Sequence, residues 1–470
     1  MADESLTRKS ARELVRLMAS GATSPVEVLD AHLAAIARLN PSLNAIVTLA
    51  ADAARKEAQA LMLASARNER LGPLAGLPIA IKDLTVTAGI RTTFGSPLYR
   101  DHVPAEDAEV VRRLKAAGAI VVGKTNTPEF GAGAHTVNAV FGATRNPWNA
   151  ALSPAGSSGG SAVAVATGMA ALAQGTDFGG SVRVPAAFCG IVGIRPTPGL
   201  IPSYPAPLAW DPGQVHGPLA RSAEDAALML DAMIGLSSLS PISVAAPWTD
   251  ALAQVERCDN GRGLRIAYAS DIAATGVDPE IDSICRAAAR ALQQAGAMVE
   301  EIALDLSDGR AAYQAWRGAW MVGRQFSRLD HLEELGANLK GNVKAGLTVT
   351  ALDLAAAEEK RQEVFHRLRK LFERYDVLLT PTAPVKPFPV EKNYPDEING
   401  RKLDNYIDWI AGTYLITLVS LPAASVPAGL TADGLPVGLQ VVAPRFEEPR
   451  ILSVCKLIQA AQPLGWPPVA

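Results

Sequence analysis

The chain is predicted to fold as an α/β protein, on three observations. Its 470 residues suit one large domain or about two to three ordinary ones. Hydrophobic residues make up 49 % and charged residues 19 %, the balance of a chain with a large core. Short apolar runs alternate with helical patterns along most of its length, which argues for a sheet covered on both faces.

The elements follow in order. A first helix is expected over Arg8–Ser20, closed by Gly21. Ser24-Pro25-Val26-Glu27 forms a capping box with proline at the first helical position, opening a helix through about Leu39. A helix near Ala51–Ala66 precedes a strand at 77–82, a helix at 105–117 and a strand at 119–122. The run Ser161–Gln174, almost all Ala, Val, Met and Leu, reads as one buried helix, and Ile191–Ile194 as a strand. Ser222 is placed to cap a helix over Ala223–Ile234. Gly235–Gly263, rich in Ser and Pro, reads as a linker. Beyond it come a strand at Leu264–Ala269, a helix at Pro279–Gln294 and a strand at Met298–Leu304. Helices at 311–334 and 353–374, a strand at Val377–Thr380 and a proline-rich loop at Pro381–Pro395 follow. Strands at 423–427 and 436–442 and a helix at 448–461 finish the chain.

Composition excludes several functions. A formal net charge of −3 offers no basic footprint for nucleic acid. No window reaches the roughly 18 consecutive apolar residues that span a bilayer, and the polar start Met1-Ala-Asp-Glu lacks the apolar segment of a signal peptide. Cys189, Cys258, Cys285 and Cys455 are too scattered for a disulfide framework or a C-x-x-C site, and fit a reducing cytoplasm. Neither an H-E-x-x-H metal pattern nor a phosphate-binding G-x-x-x-x-G-K-[ST] occurs. No metal, cofactor, nucleic-acid or membrane partner is therefore expected. The oligomeric state stays open, with a homodimer among the options.

Chemistry concentrates between Pro154 and Pro196. Two serine–glycine turns, Ser157-Ser158-Gly159-Gly160 and Gly179-Gly180-Ser181, flank small apolar residues. Glycine lets backbone approach a substrate closely, serine supplies a nucleophile, and adjacent N–H groups can receive an oxyanion. Upstream, Leu77–Ile81 is an apolar strand closed by Lys82. Lysine is almost never buried without a partner, so Lys82 is either a base or a strand-end side chain reaching for water. Using its free amine at neutral pH costs roughly 4–5 kcal/mol from an unperturbed pKa unless desolvation lowers that pKa. Asp83 opposes this unless strand alternation turns it away.

Four blocks in order carry a family resemblance: Leu74–Asp83 (LAGLPIAIKD), 123–126 (GKTN), 156–161 (GSSGGS) and 175–183 (GTDFGGSVR). With Leu421–Pro427 and Gly434–Gln440 they resemble the amidase signature family from about Ser5 to Ala461. The resemblance implies one α/β/α domain with a mixed sheet of about eleven strands and helices on both faces. In it, helices at about 5–66 would precede a signature core at about 70–235. The 235–263 segment would be an internal crossing, and 264–470 the pocket and C-terminal part of the same domain. It also implies Ser181 as nucleophile, Ser157 after a cis peptide as proton relay, and Lys82 as base. Backbone N–H groups of Phe178, Gly179, Gly180 and Ser181 would form the oxyanion hole. Ser158, Asp177 and Arg183 would support these groups, the last two equally as an ion pair fastening the loop. Gly131-Ala132-Gly133 reads as a pocket-lining loop, and Trp316, Trp320, Trp409, Tyr406 and Tyr414 lie where relatives build a leaving-group pocket. Two positions depart from the family pattern: Ala155 replaces a glycine and Leu84 an asparagine.

The function expected is cleavage of an amide-type C–N bond in a small-molecule carboxamide, anilide or carbamate, without cofactor. Three alternatives compete. The amidase-type chains of glutamyl-tRNA amidotransferases resemble the same blocks, but usually have Gln where Val184 stands and differ before Gly217-Pro218. Gly156–Gly160 also fits the G-x-S-x-G elbow with Ser158 as nucleophile and His216, His331 or His366 as base, yet 146–154 reads as loop where a strand should lead in. A silent scaffold would leave Lys82, Ser157 and Ser181 without a role.

Overall fold

The computed structural model describes residues 4–67, 69, 71–403 and 405–469; the reading of Met1–Asp3 as lacking a leader lies outside them. Eleven strands form one mixed sheet: β1 (Ile46–Leu49), β2 (Pro78–Lys82), β3 (Ile120–Thr125), β4 (Leu172–Asp177), β5 (Val192–Arg195), β6 (Val215–Ala220), β7 (Arg265–Tyr268), β8 (Met298–Glu301), β9 (Val377–Pro381), β10 (Ala423–Leu430) and β11 (Pro436–Val442). Their spatial order is β1-β3-β2-β4-β6-β5-β10-β11-β9-β7-β8. β3, β2 and β4 run parallel, as do β9, β7 and β8, and the central strands pair antiparallel. The expected α/β class with a large mixed sheet is the observed one.

Sequence chemistry explains the local starts. Ser24 accepts from the Glu27 N–H at 3.2 Å while the Glu27 carboxylate accepts from the Ser24 N–H at 2.8 Å, closing the capping box of a helix that runs Pro25–Leu43. Ser222 caps Ala223–Met233 by accepting from the Asp225 N–H at 3.1 Å. β2, β3, β4 and β6 are buried along their whole length, as central strands covered on both faces must be. Among the described residues no helix is long and apolar enough to cross a membrane.

The structure corrects several elements. The expected helix at 161–174 is a helix at Gly159–Ala166 followed by β4. Its run of small apolar residues suits either element, and Gly168, at φ +72°, turns the chain between them. β6 is an additional strand: His216-Gly217-Pro218 has the composition of a loop, yet antiparallel pairing with β4 sets Pro218 opposite Gln174. The 235–263 segment contains a helix, Ala251–Arg257, capped by Asp250. The expected helix at 311–334 is α-helical only over Arg310–Gln325 and continues as a 3-10 segment, Phe326–Glu334. Helices Ala337–Gly346 and Ala411–Leu418 are additional.

Candidate active site

β2 and β4 are neighbours in register, with Ile81 opposite Gln174, so the end of one strand lies beside Thr176 and Asp177 of the other. Lys82 is fully buried at that end. Its Nζ donates to Ser157 Oγ at 2.7 Å, Ser158 Oγ at 2.8 Å and Thr176 Oγ1 at 3.0 Å. No carboxylate among the described residues lies within ion-pair distance of it. Burial holds its pKa well below the ordinary lysine value, against the more distant pull of Asp177 and with the push of Arg324. Asp83 does turn away, accepting from Thr93 Oγ1 at 2.5 Å and the Thr93 N–H at 3.1 Å, and burial raises its pKa.

The Gly156–Ser157 peptide is cis. Ser158 then ties the two serine turns together, its N–H donating to the Ser181 carbonyl at 3.0 Å. Its hydroxyl is fully engaged: it accepts from Lys82 and from the Thr176 N–H at 3.3 Å and donates to the Thr176 carbonyl at 3.3 Å. Ser157 and Ser181 both face one cavity, shared with Gly131, Gly133, Phe178, Gly179 and Trp320. Gly131 sits at φ +75°, and a Cβ there would crowd Leu84 Cδ1 to 2.9 Å, so the glycine keeps open the space beside Ser157.

Asp177 organises the Gly179–Ser181 turn. Its carboxylate accepts from the Gly180 N–H at 2.9 Å, the Val182 N–H at 3.1 Å, and Arg183 Nε and Nη2 at 3.0 and 2.9 Å. Burial alone would raise its pKa, but the Arg183 guanidinium, with Arg195 behind it, holds the pKa below the usual carboxylate range. Arg183 continues to the Thr413 carbonyl, Thr417 Oγ1 and Gln440 Oε1 at 2.9, 2.8 and 2.6 Å, anchoring the turn to a neighbouring helix and to β11. Gly180 departs from the expected oxyanion set, because its N–H is already taken by Asp177. Among the described residues the N–H groups of Phe178, Gly179 and Ser181 have no such acceptor.

Of the expected pocket residues, Gly131, Gly133 and Trp320 line the cavity, whereas Ala132, Trp316, Trp409 and Tyr414 do not. Trp409 is core, packed on Phe188 and Phe388. Tyr414 stacks behind Tyr313 at 4.1 Å, and Trp316 lies beside Phe178 at 5.0 Å. Tyr406 does reach the cavity, donated to by Arg317. Thr176, Tyr313 and Arg317 also line it; Thr176 falls within the 175–183 block without being singled out by it, and no motif in the sequence marks the other two. Lys124, within the 123–126 block, has a structural part: its buried Nζ donates to the Thr85 carbonyl, Thr87 Oγ1 and Thr92 Oγ1, bracing the chain that follows Lys82. The elbow alternative finds no base: His216 Nδ1 meets Gln174 Nε2 at 2.9 Å, His331 pairs with Glu334 at the surface, and His366 is exposed beside Phe365.

The Amidase family model matches residues 27–452. The chain belongs to the amidase signature family. This amidase signature chain is 35 % identical over 474 residues to an acylamidase of Rhodococcus erythropolis, covering 98 % of this chain and 97 % of the relative. It is 34 % identical over 453 residues to the A chain of a glutamyl-tRNA(Gln) amidotransferase from Alkaliphilus metalliredigens, covering 91 % of each. The crystal structure of a bacterial aryl acylamidase superposes with a TM-score of 0.90 at 30 % identity, covering 97 % of this chain and 96 % of that one. The amidase signature chain is accordingly an amidase, a hydrolase of C–N bonds other than peptide bonds.

Proposed function

We propose that the chain is a serine amidohydrolase whose nucleophile is Ser181, with Ser157 relaying its proton to Lys82. One observation carries this reading: a buried lysine amine of lowered pKa donates at 2.7 Å to the hydroxyl that shares a cavity with Ser181. A serine hydroxyl needs such an adjacent base, and the Ser157 hydroxyl can donate and accept in turn. The Ser181 Oγ–carbonyl bond forms as the proton passes to Lys82. The oxyanion is met by N–H groups at 178, 179 and 181. The C–N bond then breaks, the departing amine takes the proton back through Ser157, and water hydrolyses the acyl-enzyme by the same route.

The substrate is a small-molecule amide, anilide or carbamate. Phe178 and Trp320, stacked at 3.9 Å in the cavity wall, favour an aryl group, as does the likeness to an aryl acylamidase. Urethane cleavage needs no different residues. A screen of acetamide, acetanilide, phenyl carbamate, urea and glutamine tests the assignment. The anilide or aryl carbamate is expected to turn over fastest, and acetamide ranking first contradicts it. The similarity to an amidotransferase chain favours a second reading, that the protein supplies ammonia to a partner. Glutamine as the preferred substrate, only with a partner present, would establish it; anilide hydrolysis by the chain alone rejects it. The four free cysteines suit a cytoplasmic setting.

A further inference from the structure

A second cavity, of ≈ 390 Å³, adjoins the first, and Leu84, Phe130, Thr176, Gln214 and Trp320 line both. Its walls are largely apolar, from Phe94, Pro205, Pro207, Leu208 and Ile242, yet Arg324 and Arg328 also face it. The Arg324 guanidinium lies 4.7 Å over the Trp320 ring and donates to Gln214 Oε1. Arg328 lies 4.9 Å over Phe130 and donates to the Tyr99 hydroxyl at 2.9 Å. Among the described residues neither guanidinium has a carboxylate within 4.0 Å. The carboxylate that lines this cavity, Asp211, acts on Arg324 only from beyond ion-pair distance, and its Oδ2 accepts from Trp320 Nε1 at 2.6 Å and the Gln214 N–H at 3.3 Å. His216 adds no third cation, since burial keeps its ring neutral with a pKa of about 4. Two cations therefore face an apolar chamber containing one committed anion. Burying a charge without a partner is costly, and a planar fork of donors matches a carboxylate bidentately.

We infer that this chamber is a subsite for a carboxylate carried by the amide substrate on an apolar or aryl spacer, held by Arg324 while the scissile carbonyl lies at Ser181. The inference deepens the serine amidohydrolase reading and rests on it for the position of the reacting bond. An N-acylaminobenzoate is the simplest molecule of this class, with the carboxylate on the amine side, and a succinanilate places it on the acyl side.

The test is calorimetric binding to the full chain carrying Ser181→Ala, which retains ligand without turnover. The probes are 4-acetamidobenzoate against 4-acetamidobenzamide, and succinanilate against its terminal amide. In at least one pair the carboxylate is expected to bind at least tenfold tighter. That advantage should vanish in Ser181→Ala/Arg324→Gln and survive in part in Ser181→Ala/Arg324→Lys, which keeps a cation. Equal affinity within both pairs, no binding, or an advantage that outlasts Arg324→Gln overturns the subsite. Should Ser181→Ala hydrolyse the probes at the wild-type rate, the catalytic reading fails instead, and the affinity comparison among the variants still judges the chamber.

Discussion

Lys82 and Ser157, which are 75 positions apart in the chain, meet in a 2.7 Å hydrogen bond inside a fully buried setting. The lysine ends a strand that is buried from Pro78 onward, and the serine follows the cis peptide. Desolvation disfavours the ammonium form, and the acceptors around it are neutral hydroxyls. The fold thus supplies a lysine amine whose proton affinity is set by where the strand ends.

Replacing the three central side chains one at a time should separate their roles. Lys82→Ala, Ser157→Ala and Ser181→Ala are each expected to lower kcat on the order of 10³-fold or more, since groups that act as a unit fail together. Ser158→Ala removes a positioning contact only, and its loss should be smaller by at least about tenfold. Steady-state kinetics on an anilide measures this, and a Lys82 variant at full rate contradicts the proton route.

The pH profile carries a signed expectation. The proposed proton route needs the neutral amine, so kcat/KM should fall as pH drops through the Lys82 pKa. That acidic limb should lie well below the ordinary lysine value of about 10.4, because burial lowers the pKa. The Arg324 cation also opposes protonation of Lys82, so Arg324→Gln should move the limb to higher pH. A wild-type rate that climbs steadily to about pH 10 would contradict the lowered pKa.

Asp177→Asn tests the brace under the Gly179–Ser181 turn. Asp177 and Arg183 are both fully buried and paired at 2.9 Å. Removing one charge of a buried pair leaves the other uncompensated, a loss of about 3–5 kcal/mol. Denaturant unfolding should register it as a lowered midpoint, and an unchanged midpoint would show that the pair only positions the turn.

Gly180→Ala probes the turn's shape. The residue sits at φ +122°, and a Cβ would approach Thr413 Oγ1 to 2.3 Å. Thr413 Oγ1 itself donates to the Gly179 carbonyl at 2.7 Å, so the clash displaces the neighbouring N–H groups proposed to receive the oxyanion. A fall in kcat of about 10²-fold is expected, with little change for Gly434→Ala, where the space is open.

The residues that the structure gathers around Lys82 and Ser157 are legible in the sequence because they sit in short motifs: an apolar strand ending in lysine, and glycine turns holding serines. What the sequence hides is carried by context. Thr176 stands in the 175–183 block, but its contact with Lys82 is hidden because the run leading to it fits a helix as well as a buried strand, and only Gly168 marks the break. Arg317 and Tyr313 lie on a helix far along the chain, where a polar residue on one face looks the same whether it meets solvent or a cavity. Trp409 and Tyr414 have the aromatic character of pocket residues, but packing makes them core. Gly180's N–H is drawn to the Asp177 carboxylate, a pairing that residue types at this spacing do not reveal.

Labelling the wild-type chain with a fluorophosphonate and mapping the adduct by peptide mass spectrometry tests the central claim most directly. The account predicts one adduct, on Ser181, which is lost in Lys82→Ala. An adduct on Ser158, or none on any serine of the two turns, would contradict it.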